Sequence, residues 1–125
     1  LASIVEREAL RDAEKSIIAG VFIKRLGLGM RLQADPTVIY GLGDHFDGDL
    51  TRKDLESDTP YNSYTRAGLP PTPISSPGRV ALNAATRPSQ TKYLYFVARG
   101  DGTHLFSETY KQHQRAVGKF QSANR

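Results

Sequence analysis

Four prolines fall between Pro70 and Pro77, and this run more than any other feature limits what the chain can become. Each fixes φ, so the stretch takes an extended, stiff path rather than a helical one. Leu69 and Ile74 sit among the prolines, and a solvated tether would rarely carry them. The segment from Tyr61 to Gly78 is therefore expected to be a packed loop. Tyr61, Asn62 and Tyr64 open it, setting flat aromatic faces beside an amide, the groups that pack against and hydrogen-bond to sugar rings.

The rest of the chain divides into short elements around that loop. Leu1 to Leu10 has helical spacing, and the pattern continues without glycine or proline to Ala19. Ile17, Ile18, Val21, Phe22 and Leu26 mark a core helix ended by Gly27 and Gly29. Asp12 either caps a second helix or lies inside one long one. Asp35-Pro36 is a helix start, with the carboxylate capping free amides and proline in the first position, and Gly41 and Gly43 close it. Thr51 begins another short helix, and Asp54 completes a capping box. Beyond the loop, Arg79 to Arg87 is an alanine-rich helix stopped by Pro88, its inner side formed by Val80, Ala81, Ala84 and Ala85. Tyr93 to Ala98 is a strand that R-G-D-G-T turns back into His104 to Ser107, a β-hairpin. A closing helix runs from about Thr109 to Gln121, with Tyr110, His113, Val117 and Phe120 along one side and His113 in a core or interface position. The fold class is α+β: several short helices, a small antiparallel sheet and long ordered proline-rich loops.

At 125 residues, with 38% hydrophobic and 24% charged residues, the chain suits one compact domain spanning residues 1–125. No apolar run approaches the roughly 20 residues needed to cross a bilayer. The absence of cysteine excludes disulfides and thiolate metal sites and leaves the compartment open. A starting methionine is also absent, so a domain excised from a longer protein is expected. The net charge of +4 favours polyanionic partners, but the basic residues are scattered and not interleaved with aromatics, which argues against nucleic acid. Asp44, His45, Asp47 and Asp49 lack the spacing of a metal site, and neither a metal nor a cofactor is expected. Serine-hydrolase elbows, phosphate loops and HExxH elements do not occur. Arg99-Gly100-Asp101 is ordinary turn chemistry rather than an adhesion signal.

One carboxylate stands out. On a helix Glu6 is surrounded by Ala2, Ser3, Ala9 and Leu10, small and mostly apolar, whereas Glu8 meets Ile4, Val5, Arg11 and Asp12 and has a cation within reach. Desolvation raises a carboxyl pKa, and an acid still protonated near neutral pH is what general-acid catalysis requires. The alternative is a solvated Glu6 on an ordinary amphipathic helix. Gln33, Asp35, Thr37 and Tyr40 crowd one helix end, suiting either a hydroxyl-rich ligand or capping and turn packing.

The runs A-S-I-V-E-R-E, V-F-I-K-R-L, M-R-L-Q-A-D-P-T-V-I-Y-G, Y-N-S-Y, G-L-P-P-T-P-I and S-P-G, followed by Y-L-Y-F-V and H-L-F-S-E-T-Y, closely resemble the endolytic murein transglycosylases, the MltG or YceG-like family. They occur in the family's order from Leu1 to about Val117. The resemblance implies cleavage of peptidoglycan glycan strands at internal MurNAc to GlcNAc bonds, leaving 1,6-anhydromuramoyl ends. It assigns the catalytic acid to Glu6, with Glu8 as fallback, and the sugar-orienting groove to Gln33, Asp35, Thr37, Tyr40, Asn62 and Tyr64. It also implies work at the cell envelope, on the periplasmic face of the inner membrane, with peptidoglycan synthases as candidate partners. The family's N-terminal membrane anchor and LysM-like segment are not in this sequence. Lys24 stands where the family commonly has asparagine, Ala34 where it has serine or threonine, and Ser63 where it has threonine. Two rivals are a muramidase, in which Glu6 works with Asp35 or another acid to activate water, and a non-catalytic peptidoglycan-binding module.

Overall fold

The structure, a computed structural model, describes residues 1–120. Gln121, the expected last residue of the closing helix, lies outside the described residues. The elements are α1 (Ala2–Glu8), α2 (Asp12–Gly27), α3 (Asp35–Leu42), α4 (Arg52–Glu56), α5 (Arg79–Thr86), β1 (Tyr95–Ala98), β2 (His104–Ser107) and α6 (Tyr110–Phe120). This is the α+β arrangement expected, with one two-stranded antiparallel sheet among the described residues.

The opening pattern resolves into two helices, not one. Ala9 turns extended, at φ −102° and ψ 110°, and Arg11 is extended again before α2 begins. Asp12 and Glu14 then stand in the first turn of α2, where acidic side chains favour the helix dipole, and Asp12 also pairs with Lys15 at 2.8 Å. The buried core draws Ile4, Val5 and Ala9 from the first helical region, Ile18, Ala19 and Phe22 from α2, and Ala81 and Ala84 from α5, with Leu32, Ala34 and Ile74 from loops and helix starts. Val80 is exposed and Ala85 half-buried, so the inner side of α5 is narrower than its alanine pattern suggested. Small residues there let the helix lie close to α1 and α2.

Gly20 serves the same end on α2. A Cβ there would sit 2.3 Å from the backbone oxygen of Ser89, so only glycine admits the chain leaving α5. Ser89 donates its N–H to the Ser16 carbonyl at 3.0 Å and its hydroxyl to the Ser16 hydroxyl at 3.0 Å.

The hairpin pairs Tyr95 with Ser107 through to Ala98 with His104. Gly100 and Gly102 both have φ 89°, a conformation that side chains disfavour, and Asp101 accepts the Thr103 N–H at 2.9 Å. The sheet is fastened to α2 at two points. Glu14 grips His104, one carboxylate oxygen 2.8 Å from Nδ1 and the other accepting the backbone N–H at 3.1 Å. Arg25, buried, donates Nε to the Leu94 carbonyl at 2.6 Å and Nη1 to the Arg31 and Leu32 carbonyls at 3.0 and 3.1 Å. Helix α6 lies against the hairpin, with His113 stacked on Tyr95 at 5.1 Å.

The proline run is a packed loop. Ile74 is buried and donates its N–H to Ser3 Oγ at 3.0 Å, Ser75 Oγ donates to the Ser3 carbonyl at 2.9 Å, and the Tyr61 hydroxyl meets Thr72 Oγ1 at 2.9 Å.

Candidate active site

Glu6 faces the end of that loop. Its Oε1 accepts the backbone N–H of Gly78 at 2.6 Å, and among the described residues no hydrogen bond falls on Oε2. Gly78 is the N-cap of α5, a helix with no capping side chain of its own and no acidic residue in its first turn. A carboxyl oxygen at that position meets an amide left open at the helix start, so Glu6 on α1 provides the cap that α5 lacks.

The niche differs from the one that helical spacing suggested. Because α1 stops at Glu8, Leu10 is not a helical neighbour of Glu6, and it is 76% exposed. Glu6 is half-buried, and Gly78 forms the wall at its carboxylate. A Cβ on Gly78 would lie 3.1 Å from Oε1, tighter than ordinary contact.

Other residues singled out in the sequence fall into separate groups. The Tyr64 hydroxyl donates to Asp35 Oδ1 at 2.6 Å. Burial holds the Tyr64 phenol above its ordinary range, the charge of Glu8 adds to this, and Arg25 opposes it. Asp35, Tyr64 and Glu8 thus share one neighbourhood. Asp35 was expected to cap α3, but the N-cap is Ala34 without a side-chain bond, and Asp35 is the first helical residue with its carboxylate turned to Tyr64. Gln33, at φ 53°, holds a backbone conformation uncommon for any residue but glycine and donates its N–H to the Ser63 carbonyl at 3.2 Å. Together with Arg25, Tyr64 and His113 it lines a cavity of about 440 Å³.

Tyr40 stands apart, 46% exposed and in edge contact with Tyr61, ring centroids 4.8 Å apart. It lines a smaller cleft of about 230 Å³ with Arg7, Pro36, Ile39, Ile74 and Ser75.

Thr37 and Asn62 turn inward. Thr37 is fully buried, donating to the Ala34 carbonyl at 2.7 Å and sharing a 2.7 Å hydrogen bond with Ser63 Oγ. Asn62 is 1% exposed; it donates to the Leu55 and Ser57 carbonyls at 2.9 and 2.8 Å, and its Oδ1 accepts the Tyr64 N–H at 2.8 Å. Both shape the frame that carries Asp35 and Tyr64, and neither presents a free polar atom to a ligand. Ser63 belongs to this frame too, accepting the Ala34 N–H at 2.9 Å.

Local sequence did not single out Gly78, Ser3 or Arg25. The S-P-G run was the available signal for Gly78, since a glycine directly ahead of an alanine-rich helix stands at an N-cap. No spacing rule links it to Glu6, 72 positions away. Lys24, on the last turn of α2, is exposed.

The profile of the YceG-like family matches residues 1–119. The chain is 46% identical over 123 residues to the endolytic murein transglycosylase of Bacillus subtilis (strain 168), a match that takes in 98% of this chain and 34% of that protein. It is 32% identical over 124 residues to the endolytic murein transglycosylase of Streptococcus pneumoniae serotype 2 (strain D39 / NCTC 7466), covering 95% of this chain and 22% of that one. A crystal structure of a yceG-like protein from Listeria monocytogenes superposes with a TM-score of 0.86 at 46% identity, over 92% of this chain and 38% of the other. The chain thus spans about a third or less of the curated relatives it matches.

Proposed function

The chain belongs to the YceG-like family, and on that premise we propose that it is the catalytic domain of an endolytic peptidoglycan lytic transglycosylase, with Glu6 as its single acid and base. Glu6 protonates the glycosidic oxygen between MurNAc and GlcNAc, and the bond opens through an oxocarbenium-like state. The resulting carboxylate takes the proton from the muramoyl 6-hydroxyl as that oxygen attacks C1, giving a 1,6-anhydro end. Most glycosidases need a second carboxylate as nucleophile or as the base that activates water. Here the substrate supplies its own nucleophile, whose effective concentration is high once it is held in place and water is kept out.

The observation that carries this reading is the Glu6 carboxyl group itself, half-buried, fixed through one oxygen by the Gly78 amide at 2.6 Å and with the other oxygen unbonded among the described residues. A proton donor held at one end keeps a constant aim. Gln33, Asp35, Tyr40 and Tyr64 orient the glycan, while Thr37 and Asn62 act through the frame beneath them. The enzyme works in the bacterial cell envelope, on the periplasmic face of the inner membrane, beside synthases that make the strands it cuts.

The test is digestion of isolated glycan strands by the full-length protein and its Glu6→Gln variant, read by mass spectrometry. The expected products of the unmodified protein carry anhydro ends, lighter by one water than hydrolytic ends. Glu6→Gln is expected to bind strands without cutting them. A fully active Glu6→Gln protein would overturn the assignment of the acid, and reducing ends would make the enzyme a muramidase.

A further inference from the structure

The smaller cleft is lined by a cation that has no ion pair or hydrogen bond among the described residues. That cation, Arg7, follows Glu6 on α1 and is exposed. Arg7 lines a cleft of about 230 Å³ whose other walls are Pro36, Ile39, Tyr40, Ile74 and Ser75. Three of these walls are braced. Tyr40 leans on Tyr61, which the Thr72 hydroxyl holds in turn, and Ile74 and Ser75 are both bonded to Ser3 on the same helix as Arg7. An aromatic residue among Pro36, Ile39 and Ile74 is a lining that a sugar ring can pack against, and an unpaired arginine suits a carboxylate, which its guanidinium can grip with two parallel N–H donors.

The cleft also lies close to Glu6. Ser75 lines it and Gly78 holds Glu6, and three residues of chain span at most about 11 Å. Neighbouring sugars of one strand can therefore occupy both places.

We propose that Arg7 is a specificity-determining residue that reads a carboxylate carried by the muramoyl sugar seated against Tyr40. This rests on the peptidoglycan substrate proposed above. Two carboxylates qualify, those of the stem peptide and that of the lactyl ether once the stem has been removed.

The experiment measures binding of the full-length protein and its Arg7→Gln and Arg7→Lys variants to three glycan preparations at low and high salt. The first carries intact stems, the second has the stem carboxyls converted to amides, and the third is stripped of stems so that the lactyl carboxylate is free. The unmodified protein is expected to prefer strands with free carboxylates over amidated ones by up to about five-fold at low salt, the preference shrinking as salt rises. Arg7→Gln is expected to bind all preparations alike, and Arg7→Lys to recover part of the preference. A preference for the first preparation identifies the stem carboxylate, and a preference for the third alone identifies the lactyl one. Strands that are cut normally but bound by Arg7→Gln with an undiminished preference would overturn this proposal and leave the transglycosylase intact. Absence of any strand binding by the unmodified protein would overturn both.

Discussion

Glu6 and Gly78 are joined by a 2.6 Å hydrogen bond between positions 72 residues apart, and a side chain on the glycine would press on the carboxyl group. Gly78 lies at φ −78° and ψ 177°, where alanine is equally comfortable, so Gly78→Ala brings no backbone strain. The added methyl would lie 3.1 Å from Oε1 and displace the carboxyl group by a few tenths of an ångström. A lowered kcat, by about tenfold, with an almost unchanged unfolding midpoint is the expected result of glycan-strand assays and thermal melts on this variant.

Tyr64→Phe removes the hydroxyl that Asp35 accepts at 2.6 Å. A hydrogen bond to a charged acceptor contributes about 1.5–3 kcal/mol, and the variant is expected to lose that much in urea unfolding with an unchanged m value.

Acidification acts through His113. Burial lowers its pKa and the charge of Arg25 lowers it further, and its buried Nδ1 has no partner among the described residues. The unfolded chain therefore binds a proton more readily than the folded one. The contribution is complete above the unfolded value of about 6.5 and is lost as pH falls through that value toward the lower folded one. Thermal melts between pH 7 and pH 5 are expected to show a smaller fall for His113→Phe, which keeps an aromatic ring against Tyr95, than for the unmodified chain.

Two glycines of α2 are expected to respond in opposite directions. Gly20→Ala places a methyl 2.3 Å from the Ser89 backbone oxygen and is expected to destabilise by about 3 kcal/mol, since backbone must move. At Gly27 nothing lies within 4 Å, and Gly27→Ala is expected to gain about 0.5 kcal/mol. Urea midpoints of the two variants check both signs.

Elements whose cause is local were legible in the sequence. The capping box of Thr51 and Asp54 forms as its spacing requires, with bonds of 3.2 and 3.0 Å, and the Asp-Gly turn produces the hairpin. Where a partner comes from far along the chain, local rules fell short. Asp35 has the right neighbours for a cap, yet it binds Tyr64, 29 positions on. Thr37 and Asn62 carry groups suited to a sugar, yet Ser63, Leu55 and Ser57 claim them first. Helical spacing placed Glu6 among small residues, but the wall at its carboxylate is made by a glycine from beyond the proline loop, through a contact that no periodicity encodes.

Arg25 gathers the end of α2, the Arg31–Leu32 carbonyls and Leu94 onto one guanidinium. Peeling the hairpin away would strand a buried positive charge, so the lead-in to α3 and the lead-in to β1 open in a single event rather than one after the other. In hydrogen exchange these two stretches, more than sixty residues apart, are expected to open as one cooperative unit.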